Sequence, residues 1–289
     1  MSAELLDLTS DEYHADPADQ PSLNSSTARI LLTRTPAHAK AQHPRLADTP
    51  PIPRTSDAMD MGTAVHQLLL RDDRVDVTDL FTDFRTKDAR AWRDMVRSCG
   101  RIPMLRDKYE EAVDLSVCIR ERMLEIEDPR PFTNGTPEAT IVWQEQDVWC
   151  RARLDWLRDD LETADDLKCT SRTADPRVFE RQIWSYGYDV QAALYVRGVE
   201  ALHGVRPRFR WVAVETYPPF AVSVLELDDD AMFAAQVKVD EALRIWRECV
   251  TKNEWPAYPL DSFTVSQPGW VLARNDQWGA VDVDESVPF

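Results

Sequence analysis

Two short stretches of this chain gather side chains that could hold a metal ion beside a positive charge. In CRARLDWLRDD, which starts at Cys150, strand alternation puts Arg151, Arg153 and Asp155 on one face and Cys150, Ala152, Leu154 and Trp156 on the other. In DDLKCT, which starts at Asp165, Asp166 and Lys168 share a face. An acid on each of two neighbouring strands, with a lysine two residues after the second, can hold a hard divalent cation next to an ammonium group. That is the chemistry of metal-dependent phosphodiester hydrolysis. D-x-K alone is equally the pattern of an exposed strand edge, so its weight depends on its surroundings.

The elements that must position these groups follow from the local pattern. The two strands are joined by a polar turn, and Asp175-Pro176 opens a helix, proline being suited to a first turn. A second helix, from Asp189 to about Leu202, carries Gln191 and Tyr195 one turn apart. Upstream, GTAVH (Gly62 to His66) lies in an apolar helical run from about Ala58 to Arg71, where a lone histidine is also compatible with a core position. Glu138 heads the apolar strand EATIVW, with Glu145 as a nearby competitor.

This ordered set resembles the RecB-like branch of the PD-(D/E)XK nuclease superfamily, whose members carry a histidine helix, a glutamate, an aspartate strand, a D-x-K strand and a Q-x-x-x-Y helix. It is most similar to the exodeoxyribonuclease VIII-like group of phage and prophage recombination exonucleases. EYHADPADQPSLNSSTARILLTRTPAHAKA, MGTAVHQLLL, CRARLDWL, DDLKCTSRTADPRVFERQ, GYDVQAALYVRGVEAL and NEWPAY carry the likeness. The resemblance implies an α/β fold with a mixed central sheet flanked by helices and a mostly helical N-terminal portion. It implies Asp155, Asp166, Glu138 and His66 around Mg²⁺, replaceable by Mn²⁺, with the carbonyl of Leu167 as a further oxygen. Glu138 is chosen over Glu145 because the group's glutamate precedes the apolar strand. Lys168 would act on the water or the transition state, Gln191 and Tyr195 would steady Lys168 and the phosphate, and Arg153 would hold a neighbouring phosphate. Gly62 would let its helix approach the sheet. The implied activity is a 5′-to-3′ exonuclease on double-stranded DNA ends, working as a homo-oligomeric ring with a single-strand annealing recombinase. The same core serves single-strand-directed nucleases, and a non-catalytic DNA-end adaptor is the reading from another class.

Composition bounds the rest. The 289 residues, 43% hydrophobic with ten Trp, suit a globular chain. Expected parts are an N-terminal segment 1–57, a nuclease domain 58–258 and a C-terminal extension 259–289. No apolar run approaches a membrane span and the start is too acidic for a signal peptide, so a cytoplasmic protein of a bacterial or phage-infected cell is expected. Five cysteines without a C-x-x-C pair suggest reduced thiols and no iron–sulfur cluster. The net charge of −17 repels phosphate at long range, so any DNA contact must be local. The densest basic stretch, residues 85–101, offers Arg85, Lys87, Arg90 and Arg93 for phosphates and Trp92 for a base, or else a solvated helix face with Trp92 in the core.

Elsewhere, Ser25 or Ser26 can cap a helix to about Thr33, Pro36 opens another, and four prolines make 42–56 an extended connection. Helices are expected over about 105–124 and 229–251, with a hairpin over 208–228. The acidic end, VDVDESVPF, reads as a frayed terminus. It also resembles the acidic tip of bacterial single-stranded-DNA-binding proteins, which implies a tail that docks on a recombination partner.

Overall fold

A computed structural model of the chain describes residues 3–49, 57–70, 74–127, 130–269 and 271. A six-stranded mixed sheet runs in the order β1 (Ala3–Leu6), β4 (Gly135–Glu145), β5 (Val148–Arg158), β6 (Thr163–Thr170), β7 (Arg208–Glu215), β8 (Val222–Glu226). Within it β6 and β7 pair in parallel and the other neighbours are antiparallel. A second, parallel pair is formed by β2 (Val75–Thr78) and β3 (Ile102–Leu105). Helices cover both faces of the main sheet, giving the α/β architecture expected.

Strand periodicity explains the two cores. On β7, Phe209, Trp211 and Ala213 enter a cluster with α2 (Ser25–Thr33), α8 (Tyr188–His203) and α9 (Asp229–Lys252), while Val212 and Val214 enter another with α4 (Asp57–Leu70) and α6 (Arg106–Met123). A strand buried on both faces reads as one apolar run, as FRWVAV does. α9 lies mainly against α8 and α2 and also touches β5. Close approach of α8 to β4 is permitted by Gly198, where an added Cβ would meet the fully buried ring of Trp143 at 2.9 Å. Truncating Trp143 to Ala would cost about 3–5 kcal/mol and leave α8 without its seat.

The N-terminal residues are tied into this sheet. β1 pairs with β4, Leu23 bridges to Cys150, and buried Arg151 meets Asp16 at 3.1 Å and Ser22 Oγ at 2.6 Å. The same N-terminal stretch contains helix α1 (Ser10–His14). Its start is a capping box, with Thr9 N–H donating to Glu12 at 2.8 Å and Glu12 N–H to Thr9 Oγ1 at 3.3 Å. For α2 the cap is Asn24, not Ser25 or Ser26, because the Asn24 side chain accepts from Thr27 N–H at 2.8 Å. The remaining helices are α3 (Pro36–Gln42), α5 (Lys87–Ser98) and α7 (Pro176–Tyr186).

The chain divides into two units, Met1–Ala257 and Tyr258–Phe289. The described part of the second unit is almost wholly exposed, Leu260, Phe263 and Val265 included. The acidic end VDVDESVPF and residues 50–56 of the proline-rich connection lie outside the described residues. Among the described residues no helix is long and apolar enough to cross a membrane.

Candidate metal centre

β5 and β6 separate at the point where their acids face each other. Their paired residues are Trp156 with Asp165 and Leu157 with Ala164; one step further, Asp155 and Asp166 stand opposite without a ladder pair. There the Leu167 N–H donates to Asp155 Oδ2 at 2.8 Å. A side chain therefore replaces the backbone rung, and the sheet opens without stranding a buried donor. The neighbouring Asp165 points to the other face, where Arg210 meets it at 2.6 Å.

Glu138 is the fourth residue of β4 rather than its first, and its backbone is left-handed, φ 54°. A glutamate held there is strained by about 1–2 kcal/mol. The turned backbone brings its carboxylate to 3.8 Å from His66 Nδ1, while His66 Nε2 lies 3.1 Å from Asp155 Oδ2. Ligand atoms of His66, Glu138 and Asp155 all lie within 4.8 Å of one another. His66 arrives on α4, whose buried side carries Ala64, Val65 and Leu69. Gly62 is not a close-packing site: an added Cβ would touch nothing within 4 Å, and the residue lines the cleft instead.

Asp166 sits behind this trio, 2% exposed. Its Oδ1 accepts from Gln191 Nε2 at 2.7 Å, and Lys168 forms an ion pair with its Oδ2 from two residues along the strand. That Oδ2 takes no aligned hydrogen bond, so the buried carboxylate keeps a lone pair suited to a cation. Burial pushes the Asp166 pKa up to about 6, against the pull of Lys168. Burial also works to raise Asp155, but His66 and then Lys168 bring it below the usual carboxylate range. His66 is pushed up to about 9: burial acts to lower it, and Asp155, Glu138 and Asp166 overcome that. Lys168 is likewise raised, its burial outweighed by Asp166 and Asp155. Glu138, Asp155 and Asp166 are thus paired with Arg153, His66 and Lys168, three positive groups whose place beside the acids a divalent ion would take or share.

The cleft above them has a volume of about 490 Å³. Ser10, Tyr13 and His14 of α1, Arg74 and Tyr195 line it with the metal-site residues. α1 is absent from the sequence reading, although TSDE from Thr9 to Glu12 is a capping signature that could have found it. Tyr195 is 6% exposed and its pKa is pushed up to about 12 by burial. Gln191 bonds Asp166 rather than Lys168; the ring over the Lys168 ammonium, 4.7 Å from centroid to Nζ, is Tyr188. Arg153 holds Glu138 and donates to the Leu8 carbonyl at 2.8 Å, so in this state it positions an acid instead of presenting itself to a phosphate. Glu145, the competing acid, pairs with Arg197 at 2.8 Å, outside the metal group.

The basic stretch forms α5 and the turn before it. Arg85 and Lys87 are exposed, Arg90 donates to the Arg85 carbonyl at 2.6 Å, and Arg93 pairs with Asp94 at 3.0 Å and lies over Phe84. Trp92 is half-buried and stacked on Phe84 at 6.2 Å between centroids.

A forked mixed sheet with acids on three strands, a lysine beside one of them and a histidine helix above defines the PD-(D/E)XK class of nuclease-like domains. The chain belongs to the PDDEXK-like domain of unknown function family, DUF3799, whose model matches residues 25–261. Members of this class use divalent metals, and the cluster of His66, Glu138 and Asp155 fits one. A crystal structure from Eubacterium rectale, named "Putative exonuclease", aligns over 93% of this chain and 98% of that one with TM-score 0.56 and 13% identity, a likeness of fold. A second, of SSO0001, covers 69% of this chain and 96% of that one at 11% identity with TM-score 0.27 and carries no argument. No curated protein matches.

Proposed function

We propose that this protein is a Mg²⁺-dependent exodeoxyribonuclease of the exodeoxyribonuclease VIII-like kind. It degrades double-stranded DNA from its ends, 5′ to 3′, and exposes 3′ single strands for homologous recombination by strand annealing. The observation that carries the reading is the convergence of His66, Glu138 and Asp155 on one cleft with the Asp166–Lys168 pair against it.

His66, Glu138, Asp155 and Asp166, with the Leu167 carbonyl, would hold Mg²⁺ or Mn²⁺. When bound, such an ion neutralises phosphate charge and makes water more acidic. Water attacks phosphorus, the bond from phosphorus to the 3′ oxygen breaks, and that oxygen takes up a proton, leaving a 5′-phosphate. Lys168, held beside Asp166 by an ion pair, would orient the water or serve the charge that grows on the non-bridging oxygens. Gln191 fixes the Asp166 carboxylate and Arg153 fixes Glu138, which keeps both acids pre-aimed. Tyr195 closes the cleft behind them. Arg85, Lys87 and Arg90, exposed around the start of α5, grip the DNA backbone. The enzyme works as a homo-oligomeric ring, and its acidic tail docks on the annealing protein.

The test is linear duplex DNA with Mg²⁺, labelled separately at each end, with wild type against Asp166→Ala and Lys168→Ala. Early loss of the 5′ label, abolished by both substitutions, supports the proposal. Well-folded wild type that degrades neither duplex nor single strands overturns it in favour of a DNA-end adaptor.

A further inference from the structure

The corner between α7 and α8, beside the metal centre, has no task in that hydrolysis. α7 ends at Tyr186 and α8 begins at Tyr188, with a single left-handed residue between them, Gly187 at φ 68°. Only glycine suits that corner: besides the sign of φ, a Cβ would lie 2.9 Å from the aliphatic part of the Arg29 side chain. Arg29 packs across the corner and donates to the Tyr186 carbonyl at 3.1 Å. The two tyrosine rings are 5.7 Å apart, tilted by 55°. The inner ring covers Lys168, and the outer one is 44% exposed.

The corner carries an aromatic surface outward from Lys168, with the Arg29 guanidinium at its side. Aromatic faces interleaved with cations are the chemistry that binds unpaired nucleobases: the ring takes the base by stacking and the cation takes the phosphate.

We propose that Tyr186 and Tyr188 form a stacking platform for an unpaired base of the strand being cut, next to the scissile phosphate, with Arg29 on the adjoining backbone. This rests on the nuclease reading of the metal centre and adds how the end is engaged. An end whose terminal base is taken out of the stack and laid on the tyrosines is held in register with Lys168. The platform favours any base over none, because every base has a π-face, so it confers preference for frayed or overhanging ends rather than for a sequence.

The experiment uses the full chain with a duplex carrying 2-aminopurine at its end, bound with Ca²⁺ in place of Mg²⁺, alongside degradation with Mg²⁺. Wild type should quench the probe. Tyr186→Ala should bind the end about tenfold more weakly, lose quenching and raise KM, and Tyr186→Phe, which restores the ring, should recover all three. Tyr186→Ala that matches wild type in an active enzyme overturns the platform and leaves the nuclease reading standing. Equal loss in Ala and Phe variants also overturns it, since the ring would not be what matters. If wild type neither binds nor degrades DNA, the nuclease reading fails and the platform falls with it.

Discussion

Metal affinity should depend on pH through His66, and the size of the effect follows from its surroundings. With three carboxylates around it, the imidazole keeps its proton up to a pKa of about 9. A histidine ligates only when neutral, so metal must displace that proton. At pH 7 the gap to the pKa is about two units, which makes deprotonation cost about 2.7 kcal/mol, or roughly 100-fold in affinity. Apparent Mg²⁺ affinity should therefore rise about tenfold per unit from pH 7 to pH 9 and level off above it, with one proton released. Asp166, at about 6, adds a second proton only at lower pH. The metal-free protein carries the matching sign: a raised histidine pKa stabilises the fold below the unfolded value near 6.5, and that stability is lost as pH rises through about 9. Isothermal titration of Mg²⁺ in buffers of differing ionisation heat counts the protons directly. His66→Ala should bind more weakly and lose the slope. A flat wild-type profile from pH 7 to pH 9, or a slope kept by His66→Ala, would refute the argument.

Gln191→Ala strips a buried carboxylate of a charged hydrogen bond worth about 1.5–3 kcal/mol, so activity on end-labelled DNA should fall roughly 10- to 100-fold while the fold survives by circular dichroism. Arg153→Ala leaves Glu138 without its partner, and thermal unfolding should show destabilisation of about 1.5–3 kcal/mol that Glu138→Gln added to it partly reverses; an additive double variant would show that the pair is not coupled. Substituting Arg85, Lys87 and Arg90 by Ala should weaken DNA binding equally for all sequences and reduce the salt slope of log affinity by about one for each phosphate no longer neutralised; an unchanged slope would place α5 away from the DNA.

How much of this is readable in the chain differs by residue. Asp155, Asp166 and Lys168 are placed by strand alternation, because a period of two assigns a face without any knowledge of the partner strand. Gln191 is legible on the correct helix but not with its actual neighbour: it reaches Asp166 because Gly198, two turns on, lets α8 sit against Trp143, a contact between residues far apart in sequence. The Arg153–Glu138 pair is invisible in the sequence for the same reason. Gly62 misleads because a glycine in an apolar helix suggests close packing, yet it faces the cleft. β1, β2 and β3 are four residues each, too short for a period to declare itself, whereas α6 and α9 are long enough that their apolar stripes define them.

The left-handed backbone at Glu138 sets two selective pressures against each other. Glycine there would relax the backbone and recover part of about 1–2 kcal/mol, yet it would remove one corner of the metal cluster. Variants selected for thermal resistance alone should therefore drift towards glycine at this one position and fall silent, while those selected for activity must keep the strain and make up the deficit elsewhere in the sheet. In this strand the cost of holding a carboxylate in place is written into the main chain itself.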